Sequence, residues 1–225
     1  KQSLVNEECQ INYKSQSIDN QILDIHTPIT IYKNIKLKNI GTHQAENAAT
    51  AIRACEIAWK KIYKEDIPVN YVLRGLANTI IPGRIEKIKE KPLILIDSMH
   101  TVLSAKKLEE TLSNLKLPKK RVIIFGALEN KNVDKIAKVL CKNNTEIIVT
   151  KPISNRSMPI NKVKKVFNKF STNVVVEKNL KSAIRKISID PQLDRYFLIV
   201  GSTYLIAEAR EIILSIDGDR KLNLR

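Results

Sequence analysis

The chain has 225 residues, 43% hydrophobic and 28% charged, which is enough apolar material for one large domain, or one domain with part of another, and too little polar bias for disorder. Lys and Arg number 39 against 23 Asp and Glu, a formal charge of +16. The lysines are nevertheless spread over every segment (Lys36, Lys60, Lys106, Lys131, Lys151, Lys178) and aromatics are only 5%, so neither a focused phosphate-binding patch nor a base-stacking platform forms, and no nucleic-acid partner is expected.

A solvated basic surface of this kind favours small anionic substrates. No apolar run approaches the roughly 18 residues of a membrane span, and the N-terminus lacks the order of a signal peptide, so no membrane contact and a cytoplasmic location are expected. Cys9, Cys55 and Cys141 are odd in number and far apart, which points to reduced packing residues rather than disulfides or a metal site.

In chain order, Gln21 to Leu37 alternates with strand character. Gly41-Thr42-His43-Gln44-Ala45-Glu46-Asn47 then leads into a long helical pattern over Asn47 to Tyr63. Thr42 or His43 with Glu46 makes a capping arrangement; Asn47 on the first turn could instead read a purine edge with its paired donor and acceptor. Pro68 and Pro82-Gly83 punctuate the chain after this helix, and a crossover between two domains is expected over Gly83 to Lys91. Arg84, directly after the turn, suits a bidentate phosphate contact, or an exposed salt bridge.

From Leu93 onward short apolar strands alternate with amphipathic helices. The strands are Leu93 to Asp97, Arg121 to Phe125, Glu146 to Thr150, Asn173 to Val176 and Tyr196 to Gly201. The helices are Leu103 to Leu115, Val133 to Lys142, Asn161 to Phe170, Leu180 to Ile187 and Tyr204 to Leu214. This predicts an α/β fold: a Rossmann-like layer with a mainly parallel sheet and ligand chemistry at the carboxyl ends of its strands. At those ends stand Asp97 with His100 three residues on, and Gly201-Ser202-Thr203-Tyr204 opening the last helix. Asp97 or Ser98 could equally cap the following helix, and Ser202 or Thr203 the last one, beside any anion held there.

Taken together and in order, these segments resemble the folylpolyglutamate synthase and dihydrofolate synthase branch of the Mur ligase superfamily, over about Leu37 to Arg210. Gly41 to Ala49 is similar to that family's Gly, His-Gln and Asn-Ala-Ala segment, and Pro82-Gly83-Arg84-Ile85-Glu86 to its Pro-Gly-Arg turn. Asp97-Ser98-Met99-His100-Thr101 stands in the place of its Asp-Gly-Ala-His-Asn-Pro. Gly201-Ser202-Thr203-Tyr204 through Glu208-Ala209-Arg210 is similar to its Gly-Ser-Leu-Tyr and Glu-x-Arg close.

The resemblance implies residues 1–88 as the end of a central ATPase domain and 89–225 as the C-terminal, glutamate ligase domain. It implies ATP-dependent amide formation between a folate or pteroate carboxylate and glutamate through an acyl phosphate, in a protein that is a monomer when full length. Asn47 would contact adenine, Arg84 the ATP phosphates and Asp97 the ribose. His100 and Ser202 would lie near the transferred phosphate and the incoming glutamate, with His100 the catalytic residue.

The family's phosphate loop, Gly-x-x-x-x-Gly-Lys-Ser/Thr, is missing from these 225 residues. The magnesium ligands are expected with it, so no metal residue is assigned here, and the isolated chain is expected not to turn over ATP. Thr101 and Val102 replace the usual Asn and Pro, Ser98 and Met99 replace the small pair, and Asn130-Lys131 lies near a common Lys-Asp pair. The alternative is a truncated Mur-ligase-like binding module without catalysis.

Overall fold

The computed structural model describes residues 5–141, 145–189 and 194–216. Contacts divide the chain into two units, Lys1–Ile81 with Asn114–Lys116, and Pro82–Ser113 with Leu117–Arg225.

In the first unit a short helix α1 (Val5–Glu8) leads into an antiparallel meander of β1 (Gln10–Gln16), β2 (Gln21–His26) and β3 (Ile31–Leu37). β2 alternates buried Gln21, Leu23 and Ile25 with half-exposed Ile22, Asp24 and His26, the period of two that puts one face inward. The predicted strand-like run from Gln21 is therefore two strands, parted where Thr27 Oγ1 accepts from the amides of Ile29 and Thr30, both at 3.2 Å. α2 (Thr42–Tyr63) lays Ala45, Ala48, Ala49 and Ile52 against Leu23, Ile25, Tyr32, Ile35 and Leu37, and Val72 of α3 (Val69–Asn78) closes the cluster.

One glutamate interrupts the α2 stripe. Glu56, 1% exposed, accepts from Thr27 Oγ1 (2.7 Å) and Tyr32 Oη (3.0 Å) and pairs with Arg53 Nη1 (2.6 Å), so its charge is compensated where it is buried. Burial, then this carboxylate, pushes the Tyr32 hydroxyl pKa up.

α2 begins at Thr42 rather than Asn47. Its N-cap is Gly41 at φ 108°, with no side-chain cap bond, so the expected Thr42 or His43 capping arrangement gives way to a backbone one. The Gly41 carbonyl accepts from the amides of Gln44 (3.0 Å) and Ala45 (3.3 Å), and from the buried Gln21 Nε2 (3.1 Å), which fixes the entry to the helix.

The second unit holds a six-stranded sheet of β4 (Glu86–Lys89), β5 (Ile94–Asp97), β6 (Lys120–Phe125), β7 (Glu146–Val149), β8 (Val174–Val176) and β9 (Arg195–Val200), in the order β4-β5-β9-β6-β7-β8. β4 is antiparallel to β5; every other pairing is parallel. The passage expected between domains over Gly83 to Lys91 thus carries an edge strand and its turn.

The five predicted helices appear as α4 (Val102–Ser113), α5 (Val133–Leu140), α6 (Ile160–Phe167), α7 (Leu180–Ser188) and α8 (Thr203–Leu214); Lys142, the predicted end of the second, lies outside the described residues. α7 and α8 pack on Ile94, Ile96, Val122, Ile124, Phe197 and Ile199. Leu95, Ile123 and Leu198, pointing to the other face, are equally buried, and there Phe125 meets Phe167 of α6 at 4.9 Å between rings. Burial on both faces is why these strands read as unbroken apolar runs instead of alternating.

The chain steps from β5 to β6 and fills the space between them last, with β9. That order brings the carboxyl ends of β5, β9 and β6 together, Asp97 beside Val200 and Val200 beside Phe125. Among the described residues no helix is long and apolar enough to cross a membrane.

Candidate functional site

β5 ends in Asp97, whose side chain turns back into the protein and is 6% exposed as a residue. Its Oδ1 accepts from the amide of Met99 (2.8 Å) and its Oδ2 from the amide of Ile85 (2.9 Å). Burial pushes its pKa up to about 6, against the opposing pull of those two amides and of the Arg84 and His100 charges. Asp97 is therefore not the cap of α4.

That cap is Thr101. Its Oγ1 accepts from the amide of Ser104 (3.1 Å), and Ser104 Oγ accepts from the amide of Thr101 (3.0 Å), a reciprocal capping box. Thr101→Ala removes one half of it, and we expect a loss of about 1 kcal/mol, read as a lower midpoint of urea unfolding with unchanged slope.

Ser98, read in the sequence as a cap or as a replacement within the family's small pair, joins two of the predicted site residues. Arg84 Nη1 donates to Ser98 Oγ at 2.7 Å, and His100 Nδ1 meets the Ser98 carbonyl oxygen at 3.0 Å. A carbonyl only accepts, so Nδ1 carries the hydrogen, and the neutral ring keeps the lone pair of Nε2 for a proton from elsewhere. Arg84 is exposed, and among the described residues the rest of its fork makes no other hydrogen bond.

At the end of β9, Gly201 adopts φ 120°, and a Cβ there would lie 2.5 Å from the carbonyl oxygen of Gly126, the residue after β6. Ser202, 2% exposed, caps α8 by accepting from the amide of Tyr204 at 3.2 Å. His100, Leu128, Lys131 and Gly201 to Tyr204 line one cavity of about 100 Å³, with basic side chains and no acidic one. A larger cavity, about 410 Å³, opens at the amino ends of the strands; there Arg121 is paired with Glu109 (2.6 Å) and Arg195 with Glu146 (3.4 Å).

Arg84, Asp97, His100 and Ser202 thus belong to the second unit, at the carboxyl edge of its sheet; the sequence placed Asp97, His100 and Ser202 there, but set Arg84, within residues 1–88, at the end of the preceding domain. Asn47 belongs to the first unit. It is exposed on the second turn of α2, not the first, and its Nδ2 donates to Gln44 Oε1 at 3.3 Å. Sequence reasoning overlooked Ser98 as an anchor and the ion pair of Glu86 with Arg210, which joins the Pro-Gly-Arg-x-Glu turn to the Glu-x-Arg close. The signal available was that both segments carry a charge of opposite sign at a fixed place. Among the described residues no group of three or more His, Cys, Asp or Glu is placed to hold a metal ion; of the two carboxylates near the site, Asp97 accepts from two amides and Glu86 is paired with Arg210.

Comparison with known proteins agrees with this architecture. The family described as Mur ligase, glutamate ligase domain, matches residues 83–203, more than half of the chain. The dihydrofolate synthase/folylpolyglutamate synthase of Bacillus subtilis is 35% identical over 112 residues, 48% of this chain and 25% of that protein. A folylpolyglutamate synthase structure from Mycobacterium tuberculosis, complexed with ADP and AMPPCP, superposes with a TM-score of 0.78 at 24% identity, covering 90% of this chain and 48% of the other. One from Thermotoga maritima gives 0.79 at 23% identity, covering 96% of this chain and 49% of the other. At those identities the likeness is one of fold, and the chain spans about half the length of these solved relatives. The parallel sheet, the turn at Gly83, the loop from Asp97 to Thr101 and the end of β9 all fall inside the matched span, and through it the chain belongs to the Mur ligase family.

Proposed function

We propose that this chain supplies the C-terminal half of an ATP-dependent acid–amino-acid ligase of the folylpolyglutamate and dihydrofolate synthase type. In that reaction ATP phosphorylates the carboxylate of a folate or pteroate, the amine of glutamate attacks the acyl phosphate, and an amide forms as phosphate leaves. The observation that carries the reading is the joining of Arg84 and His100 through Ser98, beside a basic cavity at the end of β9, within a glutamate ligase domain.

On this reading Arg84 offers its exposed fork to the ATP phosphates, where a charge-assisted contact stabilises the charge that develops during transfer. His100, with Nδ1 held by Ser98, presents Nε2 toward the incoming amine and the transferred phosphate. Ser202 lies at the N-terminus of α8, where free amides favour an anion. Asn47 would meet adenine from the first unit, and residues 1–88 would be the end of the central ATPase domain, although residues 82–88 fold with the second unit. A ribose contact by Asp97 would have to use the second lone pairs of oxygens that already accept one bond each. Magnesium and the phosphate loop would come from the remaining half of the ligase.

The test is an assay of ATP-dependent incorporation of labelled glutamate into a pteroate or folate. We expect no turnover by this chain alone and turnover when it is joined behind the phosphate-loop half of a relative. In the joined protein Arg84→Ala should raise KM for ATP roughly tenfold, the worth of one charge-assisted hydrogen bond. Turnover by the isolated chain would overturn the division of labour proposed here. A folded, joined protein without activity would favour the other reading, a binding module that keeps the fold without the chemistry.

A further inference from the structure

The basic residues are scattered along most of the chain, and Lys119-Lys120-Arg121 is its only run of three in succession. The run leads into β6 at the amino edge of the sheet, and all three residues line the cavity of about 410 Å³, with Arg195 from the start of β9. That volume lies within the roughly 300–1,000 Å³ of small-molecule pockets. Every residue lining it belongs to the second unit.

The lining sets four cations, Lys119, Lys120, Arg121 and Arg195, against two carboxylates, Glu109 and Glu146. Arg121 is fully committed. Its Nη1 donates to Glu109 Oε1 (2.6 Å) and its Nη2 to the Leu140 carbonyl (2.7 Å), the Tyr196 hydroxyl bonds to the same guanidinium, and its side chain is 11% exposed. It gives the cavity a fixed, compensated wall.

The other three cations are held more loosely. Arg195 meets Glu146 only at 3.4 Å. Lys120 pairs at 2.6 Å with Asp194, which does not line the cavity, and both side chains are more than half exposed. An exposed pair of that kind is worth at most about 1 kcal/mol. Among the described residues the exposed Lys119 has no carboxylate partner. With Asp194 counted, four cations still face three carboxylates, and two of the three pairs are long or exposed enough for an incoming anion to exchange. Carboxylates are what these cations already hold, and Leu112 and Val122 add apolar surface that suits a short hydrocarbon chain.

We propose that this cavity is a second ligand site, for a small aliphatic dicarboxylate, apart from the carboxyl edge where Arg84, His100 and Ser202 gather. The length of β9, about 17 Å of extended chain, separates Arg195 from Val200 at that edge. The inference stands on the cavity alone and does not rest on the ligase reading.

The test is an NMR titration of the chain with glutarate, butyrate and inorganic phosphate at one pH and ionic strength. We expect glutarate to shift the amides of Arg121, Val122, Thr145, Arg195 and Tyr196 along one saturating curve. Butyrate, lacking the second carboxylate, should bind at least tenfold more weakly, the worth of one charge-assisted hydrogen bond. The variant carrying both Lys119→Ala and Lys120→Ala changes only exposed side chains and should bind glutarate roughly fivefold more weakly. Lys60→Ala with Lys61→Ala removes the same charge from the first unit and should leave the affinity unchanged. Shifts confined to His100 and Gly201 to Tyr204, or spread over the surface without saturation, overturn the proposal. So does equal weakening by the two lysine pairs, or phosphate binding more tightly than glutarate.

Discussion

Gly201→Ala is expected to destabilise the second unit by about 4 kcal/mol, since two costs of roughly 1–3 kcal/mol each combine at one position. The first is conformational: φ is 120°, where an L side chain is strained whatever space surrounds it. The second is steric. The added Cβ would stand 2.5 Å from the carbonyl oxygen of Gly126 and 3.0 Å from the ring of Phe125, and a backbone carbonyl at the end of a central strand has little freedom to retreat. Gly126 is itself pressed from the other side, with its own Cβ position 2.9 Å from Pro152 and 3.0 Å from the Thr150 carbonyl. The loops after β9, β6 and β7 are therefore stacked backbone on backbone, and a methyl group at Gly201 propagates across all three.

Gly75→Ala in α3 is the control: nothing lies within 4 Å of its Cβ position, and the change should be neutral or stabilising by about 0.5–1 kcal/mol. Trp59, the only tryptophan, lies in the first unit, so the probe is exchange of the β6 and β9 amides rather than fluorescence. A loss under about 1 kcal/mol, the size of an ordinary substitution, would show that the stacked loops relax around the methyl group.

The legibility of the fold in the sequence tracks burial. The strands β5, β6, β7 and β9 are covered on both faces, and such strands are short apolar runs that stand out against amphipathic helices, so their order was readable to within a residue or two at most ends. The elements that escaped are those whose residues report little about burial. β1 is an edge strand, largely exposed, and its Gln-Ile-Asn-Tyr-Lys-Ser-Gln carries no clear alternation. β4 is only Glu86–Lys89, an edge strand whose place is set by Glu86 and Asp97 as much as by its own apolar content. α3, ten residues after Pro68 with Gly75 inside, is too short for its period to declare itself.

At the site the sequence located the residues better than their roles. Asp97, His100 and Ser202 gather at one sheet edge as expected of strand termini, and Arg84, expected on the other side of the domain boundary, joins them from the turn before the edge strand β4. Whether a polar residue at such a place faces a ligand or its own backbone depends on which amides the turn leaves free, and that is tertiary information. Thr101 illustrates the reverse case. In the place of an Asn-Pro pair it is a departure in chemistry, yet as a helix cap Thr serves much as Asn does, and Val102 fills the first helical position.

The second large effect is a dependence of stability on pH that isolates Asp97. Its carboxyl pKa in the folded chain is about 6, against an ordinary 3.8, and burial is the first cause. A raised carboxyl pKa means that the folded state holds a proton the unfolded state has released. Between about pH 4 and pH 6 stability therefore falls as pH rises, and above that window this group costs about 3 kcal/mol relative to acid conditions. The sign is opposite to that of Glu177, whose pKa is lowered by its hydrogen bonds to Lys186 and Ser182 and whose contribution is lost on acidification.

Comparing the chain with Asp97→Asn at each pH cancels Glu177 and the other carboxylates and leaves Asp97 alone. Asparagine keeps one acceptor for two amides, so the variant is expected to be less stable than the unaltered chain in acid, where Asp97 is neutral and carries no burial penalty. Toward pH 7.5 the gap should narrow by about 3 kcal/mol, because only the unaltered chain then carries a buried charge. Urea unfolding at a series of pH values reads the difference directly. A difference that stays flat from pH 4 to pH 7.5 would mean that Asp97 is ionised throughout, stabilised by the amides of Ile85 and Met99 and by Arg84 more strongly than burial opposes it.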